Sequence, residues 1–211
     1  MSEHIAFFLL CFGSLFAVVN PISVTLVFTM LSAGNTKKWK HKMAQRATLT
    51  AALVFILFVF FGTTLFNVYK VSIEALQIGG GIIIMMVGIR MLDPQRLQKE
   101  LHPESAKDLK MREDISLVPL AIPLMSGPGA IATTTLLTAE ATFDGAIPIL
   151  LLSIILVCAL SNIILRRTET IQHFLGNSGI KAVEKILGLL ILTLGVQYIL
   201  NGITQYFRIG F

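Results

Sequence analysis

Leu124-Met125-Ser126-Gly127-Pro128-Gly129-Ala130-Ile131-Ala132-Thr133-Thr134-Thr135 lies in the middle of an apolar run. A proline between two glycines breaks a helix, because Pro128 offers no backbone N–H and its ring clashes with the carbonyl four residues back. In hydrocarbon an unpaired backbone group is costly, so such a break survives only where it is buried in protein or lines a polar cavity. Proline suits the first position of a new helix, and three threonines then supply hydroxyls. The N-terminus of that helix carries about half a positive charge and free N–H donors, which makes it a candidate seat for a carboxylate.

A second break lies at Val19-Asn20-Pro21-Ile22-Ser23, where Asn20 is a good N-cap for a helix starting at Pro21. Pro21 and Pro128 are 107 residues apart, and the same offset relates Gly81 to Gly188, Gly88 to Gly195 and Ala75 to Ala182. One offset held over two helices' length indicates an internal repeat. Matched breaks in two halves of a chain point to a transporter's binding site.

Composition agrees with a membrane class. The 211 residues are 55% hydrophobic and 14% charged, with a mean hydropathy of +0.78, against about 25% charged in globular proteins. One bundle of about six helices of ~20 residues fits this length. The net charge of +5 does not indicate nucleic acid, because the basic residues fall in short loops between apolar spans. Cys11 and Cys158 sit in apolar spans as small hydrophobes, and the sequence shows neither a disulfide framework nor metal-ligand spacing.

The expected spans are 5–31, 47–68, 73–92, 115–139, 147–165 and 185–207. At 1.5 Å per residue the first is about 40 Å long, more than the ~30 Å hydrocarbon core, and the break relieves that mismatch. Glu3 and His4 stand where a signal peptide would be basic, so the first span is expected to be retained. The glycines of the third span mark close helix packing. Residues 93–114 read as a hydrophilic linker between a first three-helix repeat, 1–92, and a second, 115–211. Fifteen of the 17 basic residues fall in the loops after spans one, three and five, leaving Lys70 and Arg208 on the other side. The positive-inside rule then makes the linker cytoplasmic and both termini periplasmic. With three spans per half, the halves run oppositely through the membrane. The expected fold is an all-α membrane protein of six transmembrane helices, two inverted three-helix repeats, with helices 1 and 4 broken.

Ile122-Pro123-Leu124-Met125-Ser126-Gly127-Pro128-Gly129-Ala130-Ile131 resembles the signature of the MarC family of bacterial inner-membrane proteins. Asn20-Pro21 sits where that family has its first-half Asn-Pro or Asp-Pro. The chain departs from the pattern at Ser23, where the family commonly has Gly, and at Leu26, where it commonly has a second Pro. The resemblance implies a multi-pass protein of the bacterial inner (plasma) membrane. It also implies a secondary transporter of small neutral amino acids such as glycine and alanine, coupled to Na⁺ or H⁺.

All 12 acidic residues read as loop or span-end residues, so no intramembrane proton carrier is expected. A charge at mid-membrane costs roughly 2.5–3.5 kcal/mol on insertion scales and is normally kept only for function. Coupling by Na⁺ at hydroxyls and carbonyls is accordingly expected ahead of a carboxylate proton relay. The expected site holds a zwitterion's carboxylate on the two half-helix N-termini and its ammonium on hydroxyls or freed carbonyls. It draws on Asn20, Pro21, Ser23, Thr25, Ser126, Gly127, Pro128, Gly129, Thr133, Thr134 and Gln197, with Gly127 and Gly129 keeping the backbone N–H groups open to ligand. The expected partners are an amino acid and the lipid bilayer. No resident cofactor and no enzymatic activity are expected, since His4, His41, His102 and His173 lie outside the span cores. A small-solute channel or a non-transporting membrane factor is the alternative.

Overall fold

A computed structural model of the chain describes residues 3–32, 34–92, 120–121 and 125–207. Among them every regular element is helical. The main helices are α1 (Glu3–Val19), α2 (Pro21–Ser32), α3 (Lys37–Val68), α4 (Ile73–Leu92), α5 (Pro128–Glu140), α6 (Ala146–Arg166) and α7 (Thr168–Phe207). Five stretches are long and apolar enough to cross a membrane: Glu3–Thr29, which takes in both α1 and most of α2, Lys37–Gly62, Ile73–Leu92, Ala146–Arg166 and Ser178–Phe207. The expected linker, 93–114, and most of the expected fourth span before its break lie outside the described residues. Large apolar side chains such as Leu53, Phe60, Phe61, Ile155 and Ile163 point outward from α3 and α6, which costs nothing where the solvent is lipid.

The centre of the bundle is the crossing of α4 and α7. The buried face of α4 carries Gln77, Gly81, Ile84, Gly88 and Met91. That of α7 carries Glu184, Gly188, Ile191, Gly195 and Tyr198, each 107 residues on from its counterpart. The backbones touch at the glycines. A Cβ added to Gly88 would lie 2.5 Å from the Leu192 nitrogen, and one added to Gly195 would lie 2.5 Å from the Met85 nitrogen. Only a residue without a side chain permits so close an approach, which in lipid is what drives helices together.

Two boundaries differ from the sequence-based expectation. The basic stretch after the first span is helical, and α3 begins at Lys37, with the Thr36 hydroxyl accepting the Trp39 N–H at 3.3 Å as a cap. The last of the five stretches, expected as a sixth span from near Lys185, begins at Ser178, after a break in α7 at Gly176 (φ 61°, ψ 175°). The charges of Lys181, Glu184 and Lys185 mask the start of this span on a hydropathy scale. Lys185 faces outward, but Glu184 lies on the buried face.

Candidate functional site

The first break is one residue wide. Asn20 takes φ +43°, a left-handed conformation that Asn tolerates better than most residues. Its N–H still bonds the Phe16 carbonyl (3.0 Å), closing α1, while its own carbonyl accepts the Val24 N–H (3.2 Å), opening α2. Pro21 cannot bond the Ala17 carbonyl. The Asn20 side chain fills the gap: Oδ1 accepts the Ser23 N–H at 3.4 Å, and Nδ2 donates to the Ser23 hydroxyl at 2.6 Å.

Glu184 is 2% exposed and stands six residues inside a membrane-crossing stretch. An acidic residue expected at a loop or span end thus stands on a helix face enclosed by protein. Two sequence features pointed to it: the 107-residue offset from Gln77, and a position four residues before Gly188 on the same helical face.

The second break is built differently. The Ser126 N–H and hydroxyl both bond the Ala121 carbonyl, each at 2.9 Å, a five-residue π-type closure that ends the preceding helix. Gly127 is extended (φ −72°, ψ 176°) and Pro128 takes the first position of α5. Among the described residues no side chain caps this N-terminus, and none accepts from the N–H groups of Gly129 and Ala130, donors that a helix start leaves without an intrahelical partner. An apolar groove between α4 and α5, lined by Leu76, Gly80, Ile83, Ile131 and Ala132, reaches Pro128.

The hydroxyls expected to bind ligand are mostly turned onto their own helices. Thr133 and Thr134 donate to the carbonyls of Gly129 (2.9 Å) and Ala130 (2.8 Å), and Thr25 donates to Ile22 (2.6 Å). Such bonds satisfy the hydroxyl proton and leave only a lone pair for anything else. The Thr25 carbonyl anchors α2 to the start of α7, accepting from Thr168 and Gln172 at 3.3 Å each. Gln197 is exposed on α7 and donates to Asn201 at 2.8 Å. It lies on the opposite side of the helix from the buried face. The space beside Gly129 is filled: a Cβ there would meet Val87 Cγ2 at 2.8 Å and Val18 Cγ1 at 3.8 Å. The glycine thus lets α4 and the end of α1 close onto α5, which brings the second break within two residues of the first. Two buried polar atoms on the α4–α7 crossing, Gln77 Oε1 and the Tyr198 hydroxyl, have no partner among the described residues. Sequence reasoning missed both.

Helices of this length and apolarity, one pair of them interrupted at proline inside the protein, define a multi-pass integral membrane protein. The chain belongs to the MarC family of integral membrane proteins, whose sequence profile matches residues 5–207. It is 32% identical over 210 residues to the UPF0056 membrane protein PH0760 of Pyrococcus horikoshii, covering 99% of this chain and all of that one. It is 29% identical to YhcE of Escherichia coli (93% and 91% covered) and 30% identical to YvbG of Bacillus subtilis (94% of each), both likewise described as UPF0056 membrane proteins. The relatives thus come from archaea as well as bacteria. No solved structure matches the chain.

Proposed function

We propose that the protein is a secondary transporter of small neutral amino acids, built as two inverted three-helix repeats in a plasma membrane, with both termini on the outer side. The observation that carries this reading is a crossing that obeys the 107-residue offset beside two breaks that do not. Gly88 and Gly195 are counterparts, as are the nitrogens of Leu192 and Met85 that they approach, and both approaches measure 2.5 Å. That is the relation a twofold axis in the membrane plane would impose. The breaks, in contrast, sit differently on their neighbours. Thr25 meets Thr168 and Gln172 of α7, whereas its counterpart Ala132 meets Gly80 of α4, whose own counterpart Leu187 lies fifteen residues beyond Gln172 along α7. Two equivalent units in unequal positions around a fixed crossing are what alternating access requires. A static channel has no need of the inequality.

In this reading the open N-terminus of α5 receives the substrate carboxylate on the Gly129 and Ala130 N–H groups. The freed carbonyls near Asn20 receive the ammonium. The test is counterflow in proteoliposomes loaded with unlabelled alanine and given labelled glycine or alanine outside. A carrier accumulates label transiently against its gradient, and a channel only equilibrates it. Absence of counterflow for both amino acids would refute the proposal.

A further inference from the structure

We infer that the cavity where α3, α6 and α7 meet seats the headgroup phosphodiester of one anionic membrane phospholipid, held by Lys37, Lys40, Arg166 and Arg167; this is independent of transport. Arg167 makes the corner. Its φ of −105° and ψ of 22° are non-helical. Its N–H closes α6 on the Ile163 and Ile164 carbonyls (3.1 and 3.2 Å), and its carbonyl opens α7 by accepting the Ile171 N–H at 3.0 Å. A turn of one residue brings both arginines beside the first turn of α7, facing the start of α3 across a cavity of about 270 Å³. Two bonds cross it: Arg166 Nη2 donates to Gln45 Oε1 at 3.3 Å, and Lys40 Nζ to Glu169 Oε1 at 2.8 Å. Each uses one donor of a group that carries five, for Arg166, or three, for Lys40. The Lys40 side chain is 17% exposed against 60% for Glu169, so the ammonium belongs to the wall of the cavity. Guanidinium forks and an ammonium are the groups that bind phosphate.

The cavity sits at headgroup depth. Lys37 is the first residue of one membrane-crossing stretch and Arg166 the last of another. Trp39, the chain's single tryptophan, stands in the same turn, at the level that membrane interfaces favour for its ring. Below the cavity the surface turns apolar. Lys37, His41, Gln45, Leu49 and Leu53 follow at four-residue steps, one ridge of α3 that is exposed throughout. From His41 to Leu49 the drop is about 12 Å. On α6, Ile163 lies one turn below the arginines and is also exposed. A phosphate in the cavity thus has an apolar track for acyl chains directly beneath it. Pockets for whole small molecules run from about 300 to 1,000 Å³, so this one takes the head of a lipid and leaves its tails on the ridge.

The demand for an outside anion follows from the sequence. Fifteen basic residues are expected on this face, against the six acidic residues of 93–114 together with Glu169 and Glu184. With every one of those acids turned onto it, the face still keeps seven positive charges. Its counter-ions come from outside the chain, and at this depth the anions at hand are lipid headgroups, which basic pockets between membrane helices bind.

The test is native mass spectrometry of the delipidated, detergent-purified full chain, titrated with phosphatidylglycerol or with phosphatidylcholine of the same acyl chains. One phosphatidylglycerol should bind per chain well ahead of phosphatidylcholine. Lys37→Gln and Arg167→Gln, both at exposed positions, should each weaken that first site about fivefold. Lys42→Gln, an exposed lysine of the same helix outside the cavity lining, should leave it unchanged. Inorganic phosphate should displace no more lipid than chloride at equal ionic strength. Equal binding of the two lipids would overturn the inference, as would a first site unmoved by both cavity variants. An equal loss in Lys42→Gln would also overturn it, by spreading the attraction over the surface, and displacement by phosphate would make the cavity a seat for a soluble anion instead.

Discussion

Replacing Gly195 with alanine tests the crossing on which the two halves meet. The added Cβ would stand 2.5 Å from the Met85 nitrogen and 2.7 Å from the Gly81 carbonyl oxygen, where ordinary contact begins at 3.4 Å. Both obstacles are backbone, so no rotamer change relieves them, and α4 and α7 must part locally by about 0.9 Å. A gap of that size forfeits roughly a quarter to a half of the dispersion well for each contact it opens. With the strain of overpacking, the expected loss is about 1–3 kcal/mol. Gly88→Ala should cost the same, because its obstacles, the Leu192 nitrogen at 2.5 Å and the Gly188 oxygen at 2.8 Å, are the counterparts of the first pair. The double variant should cost less than the two together, since helices already forced apart by one methyl have room for the other. Gly79→Ala, with nothing within 4 Å of its Cβ, should be near neutral. Unfolding in mixed micelles with rising SDS fraction, followed by far-ultraviolet circular dichroism, orders the four proteins. If Gly88→Ala and Gly195→Ala unfold together with Gly79→Ala, backbone contact does not set this crossing.

Three other outcomes are expected. At the first break, Asn20→Gly keeps the φ +43° backbone but loses the side-chain bridge, whereas Asn20→Ala loses both; the same SDS assay should rank Ala below Gly, by about 1 kcal/mol for the left-handed strain. The Lys40 Nζ, 2.8 Å from Glu169 Oε1, holds the Glu169 carboxyl below its ordinary 4.5 through a hydrogen bond and then by charge. A depressed value stabilises the fold above the ordinary one and is lost as pH falls through the depressed one, so thermal unfolding of wild type and Glu169→Gln should differ slightly near neutral pH and converge in acid. A reporter fused after Phe211 should be active only on the outer side of the membrane; activity in the cytoplasm would remove the inverted orientation from the proposal.

Much of the molecule was legible because its signals are local or periodic. A proline flanked by helix formers breaks a helix wherever it stands, and Asn20-Pro21 does so here with the cap expected of Asn. Gly81, Gly88, Gly188 and Gly195 share one face at a seven-residue spacing, and a face of glycines in an apolar helix has little use except close packing. The threonines after Pro128 were less legible. Their type allows either a ligand contact or a bond to the carbonyl four residues back, and only the helical geometry around Gly129 and Ala130 chose the second. Gln197 was placed by its depth along the span, but its azimuth on α7 turned it outward.

Hydropathy and spacing by themselves determined the membrane class, the break in the first span and the face on which α4 and α7 meet, since each depends on the order of residues along one helix. The tertiary structure decided what surrounds the breaks. A hydropathy scale sends every charge to water, so Glu184 reads as a loop residue until α2 and α4 are packed against α7. Enclosure by other helices is a property of contacts far apart in the chain, and it alone takes that carboxylate out of solvent.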